Sequence, residues 1–164
     1  MERSAICPGS FDPITRGHMD IIMRASKMFD KLYVAVLTNS SKKSSFTIEE
    51  RVEMIKKCTK DIPNVVVCTF EGLVAEYARS VGAIALIRGL RAVTDFEYEF
   101  QISLTNKKIN NELETIFLTT NSEYMYLSSS VVKEIAKFGG DISDFVPEAV
   151  LSDIEKRIKN RKEQ

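Results

Sequence analysis

Cys7-Pro8-Gly9-Ser10-Phe11-Asp12-Pro13-Ile14-Thr15-Arg16-Gly17-His18 is the stretch on which the reading of this chain turns. The apolar residues Ala5-Ile6-Cys7 lead into it, and a run at helical spacing from Met19 leads out. A strand therefore feeds a loop with two glycines and two prolines, and the loop opens a helix carrying the single histidine of the chain. A helix N-terminus presents unpaired N–H groups and the positive end of the backbone dipole, so such a turn suits a phosphate. Gly17 beside His18 allows close approach to the backbone.

Beyond this stretch, short apolar runs alternate with amphipathic ones. Strands are expected at Ser4–Cys7, Lys31–Leu37, Val65–Phe70, Ala83–Ile87 and Glu114–Thr119. Helices are expected after Met19, behind the Thr47/Glu50 capping box, over Leu73–Val81, over about 94–109, over Ser128–Phe138 and from about Pro147, where a charged, basic helix closes the chain. This alternation predicts an α/β fold: a single doubly wound domain over 1–164, with a five-stranded parallel sheet and helices on both faces. The 164 residues suffice for one such domain. We find no repeat, no low-complexity segment and no linker.

Composition limits the function. Lys+Arg and Asp+Glu are 23 each, so no net field draws nucleic acid or membrane, and any anion site must be local. Cys7, Cys58 and Cys68 lack metal-ligand spacing and read as reduced thiols, which points to the cytoplasm. The longest apolar stretch is far too short to span a membrane. There is no G-x-x-x-x-G-K-[ST], no G-x-G-x-x-G, no G-x-S-x-G and no H-E-x-x-H. One histidine excludes a multi-histidine metal centre.

In an open α/β sheet the ligand lies at the carboxyl ends of the strands. The polar residues there are Ser10 and His18 after the first strand, Lys42 and Lys43 after the second, Arg88 and Arg91 after the fourth, and Ser128-Ser129-Ser130 after the fifth. Singly each has a plain reading. Lys42-Lys43 would be a solvated pair, the serines a helix cap, and Arg88 one half of an ion pair with Asp95 or Glu99. Together they place cations, hydroxyls and two helix N-termini on one edge, as a ligand with several phosphates requires.

Thr15-Arg16-Gly17-His18 resembles the T/H-x-G-H motif of the nucleotidyltransferase superfamily. Four longer blocks are more specific: Pro8 to Thr15, Phe46 to Arg51, Ile87 to Arg91 with Asp95 to Glu99, and Ser128 to Ser130 with Val132-Lys133-Glu134. They are similar to those of the bacterial phosphopantetheine adenylyltransferases, in order and at matching spacing from about Arg3 to Ala149. The resemblance implies transfer of the adenylyl group of ATP to 4′-phosphopantetheine, giving dephospho-coenzyme A and pyrophosphate. It implies that His18 stabilises the transition state and that Ser10, Lys42, Val74 and Arg88 bind phosphopantetheine. ATP would meet Ser10, Phe11, His18, Gly89, Leu90, Arg91, Glu99, Tyr124, Met125, Tyr126, Leu127, Ser128, Ser129 and Ser130. It also implies Mg2+ carried mainly on the ATP phosphates with no metal ligand from the protein, and a homohexamer; the neutral charge balance leaves no nucleic-acid or membrane partner expected. Two rivals share part of the pattern: a nucleotidyltransferase with another phosphorylated acceptor, and a non-catalytic ATP-binding sensor. The Lys42 loop and the Arg88 to Glu99 block argue against the first. The second would need no cationic set for an acceptor phosphate, yet Lys42 and Arg88 supply one.

Overall fold

The computed structural model describes residues 2–38 and 44–160. Lys42, expected at the acceptor phosphate, lies outside the described residues. The element order is β1 (Ser4–Gly9), α1 (Arg16–Ser26), β2 (Lys31–Leu37), α2 (Ile48–Thr59), β3 (Val65–Phe70), α3 (Val74–Ser80), β4 (Ala83–Leu90), α4 (Val93–Ile109), β5 (Glu114–Thr119), α5 (Ser129–Lys137) and α6 (Glu148–Asn160). A short 3-10 turn at Ser122–Tyr124 precedes α5.

The five strands form one sheet in the order β3-β2-β1-β4-β5, and every neighbouring pair is parallel. Side chains alternate across the sheet, and the sequence uses both faces. Ala5, Cys7, Val34, Val36, Ala85 and Ile87 point into one core with Met19, Ile22, Ile55, Val132 and Ile154 from α1, α2, α5 and α6. Ile6, Ala35 and Leu86 point the other way, against Ala75 and Ala78 of α3 and Leu113. The doubly wound architecture expected from the alternation is thus present. Helix starts are also where the caps put them: Thr47 Oγ1 accepts the Glu50 N–H, and Glu50 accepts the Thr47 N–H at 2.7 Å, a reciprocal cap worth about 1 kcal/mol.

Two strands run further than their apolar runs. β4 continues through Arg88, Gly89 and Leu90 because β5 goes on pairing with it, Arg88 opposite Phe117 and Leu90 opposite Thr119. The partner on its other side drops away earlier: β1 pairs with β4 only as far as Ile6 opposite Leu86, whereas its pairing with β2 runs to Gly9. Beyond Ile6 and Leu86 the sheet therefore splits. This is the position at which the strand order reverses, and a crevice opens there.

Candidate active site

The crevice is a cavity of about 630 Å3 at the carboxyl ends of β1 and β4. Its floor is Pro8 to Phe11, its near wall is the start of α1 with Thr15, Gly17 and His18, and its far wall is Arg88, Gly89 and Arg91. Tyr124, Leu127, Ser128 and Ser129 close it from the approach to α5. Glu99 and Tyr98 enter from α4.

The first turn of α1 fixes the histidine. Thr15 is the N-cap, and its Oγ1 accepts the His18 N–H at 3.3 Å. The Thr15 backbone N–H donates back to His18 Nδ1 at 3.0 Å, so a histidine occupies the place that glutamate takes in the usual reciprocal cap. A backbone N–H can only donate, so Nδ1 must be unprotonated and the neutral ring carries its proton on Nε2. Phe11, 3% exposed, holds the ring with an edge-on contact, centroids 5.0 Å apart at 64°. Phe11 itself sits at φ 47°, and its ring turns back over Gly9, where a Cβ would come within 3.0 Å of it. Burial, followed by the positive charges of Arg91 and Arg88, lowers the imidazole pKa to about 4. His18 is therefore a neutral donor with one free N–H. We expect the single histidine to show an Nε2–H tautomer in nitrogen-15 spectra and to stay neutral from pH 5 to 8. An Nδ1–H signal, or titration near 6.5, would contradict this. The sign for stability follows. The folded pKa lies below the unfolded one, so this contribution is complete above about pH 6.5 and is lost as pH falls toward 4.

Arg88 resolves the choice of ion-pair partner. Its Nε and Nη2 grip Glu99 at 2.8 and 2.5 Å, and its Nη1 donates to the Pro8 carbonyl at 3.1 Å. The guanidinium has five N–H groups. Three are thus occupied, and the remainder are available to an anion. Glu99 is 8% exposed and uses both oxygens on Arg88, so its place in the cleft is that of the group that aims the arginine. Arg91 is held more loosely, by Asp95 at 3.3 Å and the Leu127 carbonyl at 3.2 Å.

At α5, Ser128 is the N-cap and accepts the Val131 N–H at 3.2 Å. Ser129 turns its hydroxyl to the Pro13 carbonyl at 2.7 Å, tying α5 to the first turn. Ser10, Phe11, His18, Arg88, Gly89, Arg91, Glu99, Tyr124, Leu127, Ser128 and Ser129 are thus brought to one cavity. Leu90, Met125, Tyr126 and Ser130 do not line it. Leu90 spends its carbonyl on the Thr120 N–H, and Tyr126, 61% exposed, packs edge-on against Phe145. Val74 opens α3, which packs across β4 and β1, and joins the core on the far face of the sheet.

Three polar residues escaped the sequence reading as functional. Asp12 is 8% exposed and accepts from Ser45 N, Phe46 N and Lys133 Nζ. Arg51, 5% exposed, donates to the Ser10 carbonyl at 2.9 Å. Asp12, Arg51 and Lys133 all lie in the matched sequence blocks, but nothing local distinguishes them from loop punctuation or helix surface.

The cytidylyltransferase-like family model matches residues 6–135, so the chain is a nucleotidyltransferase of that class. A structure from Vibrio parahaemolyticus assigned as a nicotinate-nucleotide adenylyltransferase shares the fold, with a TM-score of 0.66 at 17% identity over 96% of both chains. Three curated relatives are far more similar, and each is named phosphopantetheine adenylyltransferase. The protein of Caldanaerobacter subterraneus subsp. tengcongensis is 59% identical over 96% of this chain and 98% of its own. That of Finegoldia magna is 55% identical over 94% and 95%, and that of Lachnoclostridium phytofermentans 58% over 89% and 90%. The chain belongs to the phosphopantetheine adenylyltransferase family.

Proposed function

We propose that the crevice holds two phosphates in line and that His18, Ser10, Arg88 and the start of α5 divide the work between them. The reaction is that of the family: ATP and 4′-phosphopantetheine give dephospho-coenzyme A and pyrophosphate, a step of coenzyme A biosynthesis. A phosphate oxygen of phosphopantetheine attacks the α-phosphorus of ATP, the bond to the β-phosphate oxygen breaks, and pyrophosphate leaves. The nucleophile is already an anion at neutral pH, so no general base is needed. The protein has to overcome repulsion between two anions, align them and stabilise charge that builds on the α-phosphate.

One observation carries this reading: a neutral histidine with a single free Nε2–H faces a cavity whose opposite wall holds two arginines. A neutral donor stabilises charge in the transition state without giving up a proton. Ser10 and Arg88 would hold the acceptor phosphate, joined by Lys42 on the strength of the family resemblance. Gly89, Arg91, Tyr124 and the N-terminus of α5 would hold ATP. The carboxylates that line the cleft, Asp95 and Glu99, are each paired with an arginine, and among the described residues no acidic, histidine and cysteine group is arranged to bind a metal. On the strength of the family resemblance Mg2+ would travel on the ATP phosphates, and no step here runs through it.

Exposed apolar side chains on successive turns of α4 (Val93, Phe96, Phe100 and Leu104) support assembly with further copies of this chain, a homohexamer in our reading. A monomeric mass in sedimentation equilibrium, with full activity, would overturn it. Among the described residues no helix is long and apolar enough to cross a membrane. The three free thiols favour the cytoplasm. The activity is tested by dephospho-coenzyme A-dependent exchange of labelled pyrophosphate into ATP. Exchange is expected only when dephospho-coenzyme A is present, and ATP binding without exchange would favour a sensor.

A further inference from the structure

The turn from Ser10 to Pro13 forms the floor of the cleft, and it is held from two sides. From the α2 side, Arg51 Nη1 donates to the Ser10 carbonyl, and the N–H groups of Ser45 and Phe46 donate to the Asp12 carboxylate at 3.0 and 2.8 Å. From the α5 side, Ser129 Oγ donates to the Pro13 carbonyl, and Lys133 Nζ meets Asp12 Oδ2 at 3.0 Å. Asp12 is the residue of this turn whose own side chain is bound from both directions. It does not line the cavity.

We propose that Asp12, through Lys133 and the N–H groups of Ser45 and Phe46, is a positioning residue for adenylyl transfer that sets the acceptor phosphate at Ser10 against the nucleotide at the start of α5. The inference rests on the function proposed above. Its physical basis is the geometry of in-line displacement, in which a shift of about 1 Å between the reacting groups can cost about a hundredfold in rate while each partner still binds. Lys133 lies on α5 little more than one turn past Ser129, so a shift of this helix against the turn moves the two half-sites relative to each other. Burial alone would raise the Asp12 pKa. The N–H of Ser45, the Lys133 ammonium and the N–H of Phe46 outweigh it and hold the carboxylate ionised.

The test uses the full chain and steady-state kinetics. Asp12→Asn keeps the shape and removes the charge that Lys133 reads. Its kcat is expected to fall roughly ten- to a hundredfold, with Kd for ATP and for phosphopantetheine, measured by calorimetry, each changed less than about threefold. Lys133→Met should lose kcat in the same sense, Lys133→Arg should recover most of it, and the double variant should be no worse than Asp12→Asn alone. Asn64→Ala, which removes hydrogen bonds to Ser26 and Phe29 at the other end of the sheet, supplies a destabilised control with kcat retained. If Asp12→Asn does not fold, the Lys133 variants carry the test alone. Unchanged kcat in folded Asp12→Asn or Lys133→Met, loss of affinity with kcat kept, or strictly additive losses would each overturn the proposal. An active wild type with an equally active Asp12→Asn defeats this inference alone. An inactive wild type defeats the functional reading and this inference with it.

Discussion

Replacing His18 by alanine is expected to cut turnover by about a hundredfold or more while both substrates still bind, because one oriented transition-state donor is removed from a site that otherwise stands. The geometry gives the reason for the split. Nδ1 is occupied by the Thr15 N–H, so the ring has only Nε2–H to offer the reaction. In the proposed role that group would strengthen its bond as charge develops on the α-phosphate and contribute less to the ground state. The variant also has a structural cost. It leaves the Thr15 N–H without its acceptor and removes the ring packed on Phe11. An unsatisfied partly buried donor costs about 1–3 kcal/mol, which a domain of ordinary stability survives. Kinetics should therefore be read beside circular dichroism and a melting curve. Near-normal kcat in a folded His18→Ala protein would remove His18 from its role.

The second large effect is at Arg88. Arg88→Met is expected to destabilise the fold by about 3–5 kcal/mol, because it strands the Glu99 carboxylate, 8% exposed, without its partner. It should also weaken phosphopantetheine binding by tenfold or more, as the loss of a charge-assisted bond to phosphate would. The two consequences can be separated. In Arg88→Met with Glu99→Gln the stranded charge is gone, so most of the stability should return while the affinity for phosphopantetheine stays low. Glu99→Gln alone should leave the positive charge but loosen its aim, with a smaller loss of affinity. Urea melts and calorimetry on the three variants check all of this. Recovery of both stability and affinity in the double variant would show Arg88 to be a structural cation only.

Much of this protein can be read along the chain. The alternation of apolar runs such as Ala83–Ile87 with helical faces such as Val52, Ile55 and Cys58 specifies an α/β fold, because strand and helix periodicities are local properties of neighbouring residues. Thr47 with Glu50 specifies a helix start for the same reason. The turn from Cys7 to His18, the arginines at 88 and 91 and the serines at 128 to 130 lead one to expect a phosphate site from residue type alone. The family resemblance adds the particular substrates. Other features depend on which segments meet. The order β3-β2-β1-β4-β5 arises from pairings between distant strands, and it alone puts the crevice where β1 leaves β4 after Ile6 and Leu86. Whether Arg88 would choose Asp95 or Glu99 was undecidable by spacing, since both lie on the helix that follows. The fold decides it by bringing both Glu99 oxygens against the guanidinium. Asp12 and Lys133 are 121 residues apart, so their pairing leaves no local trace. The elements, the expectation of phosphate chemistry and the family are legible along the chain because each resides in short stretches. Packing fixes how those stretches are aimed: which tautomer His18 holds, which carboxylate steers Arg88, and what clamps the turn from Ser10 to Pro13. Aim is a matter of distances across the fold, fixed only when β1, β4, α2 and α5 pack together.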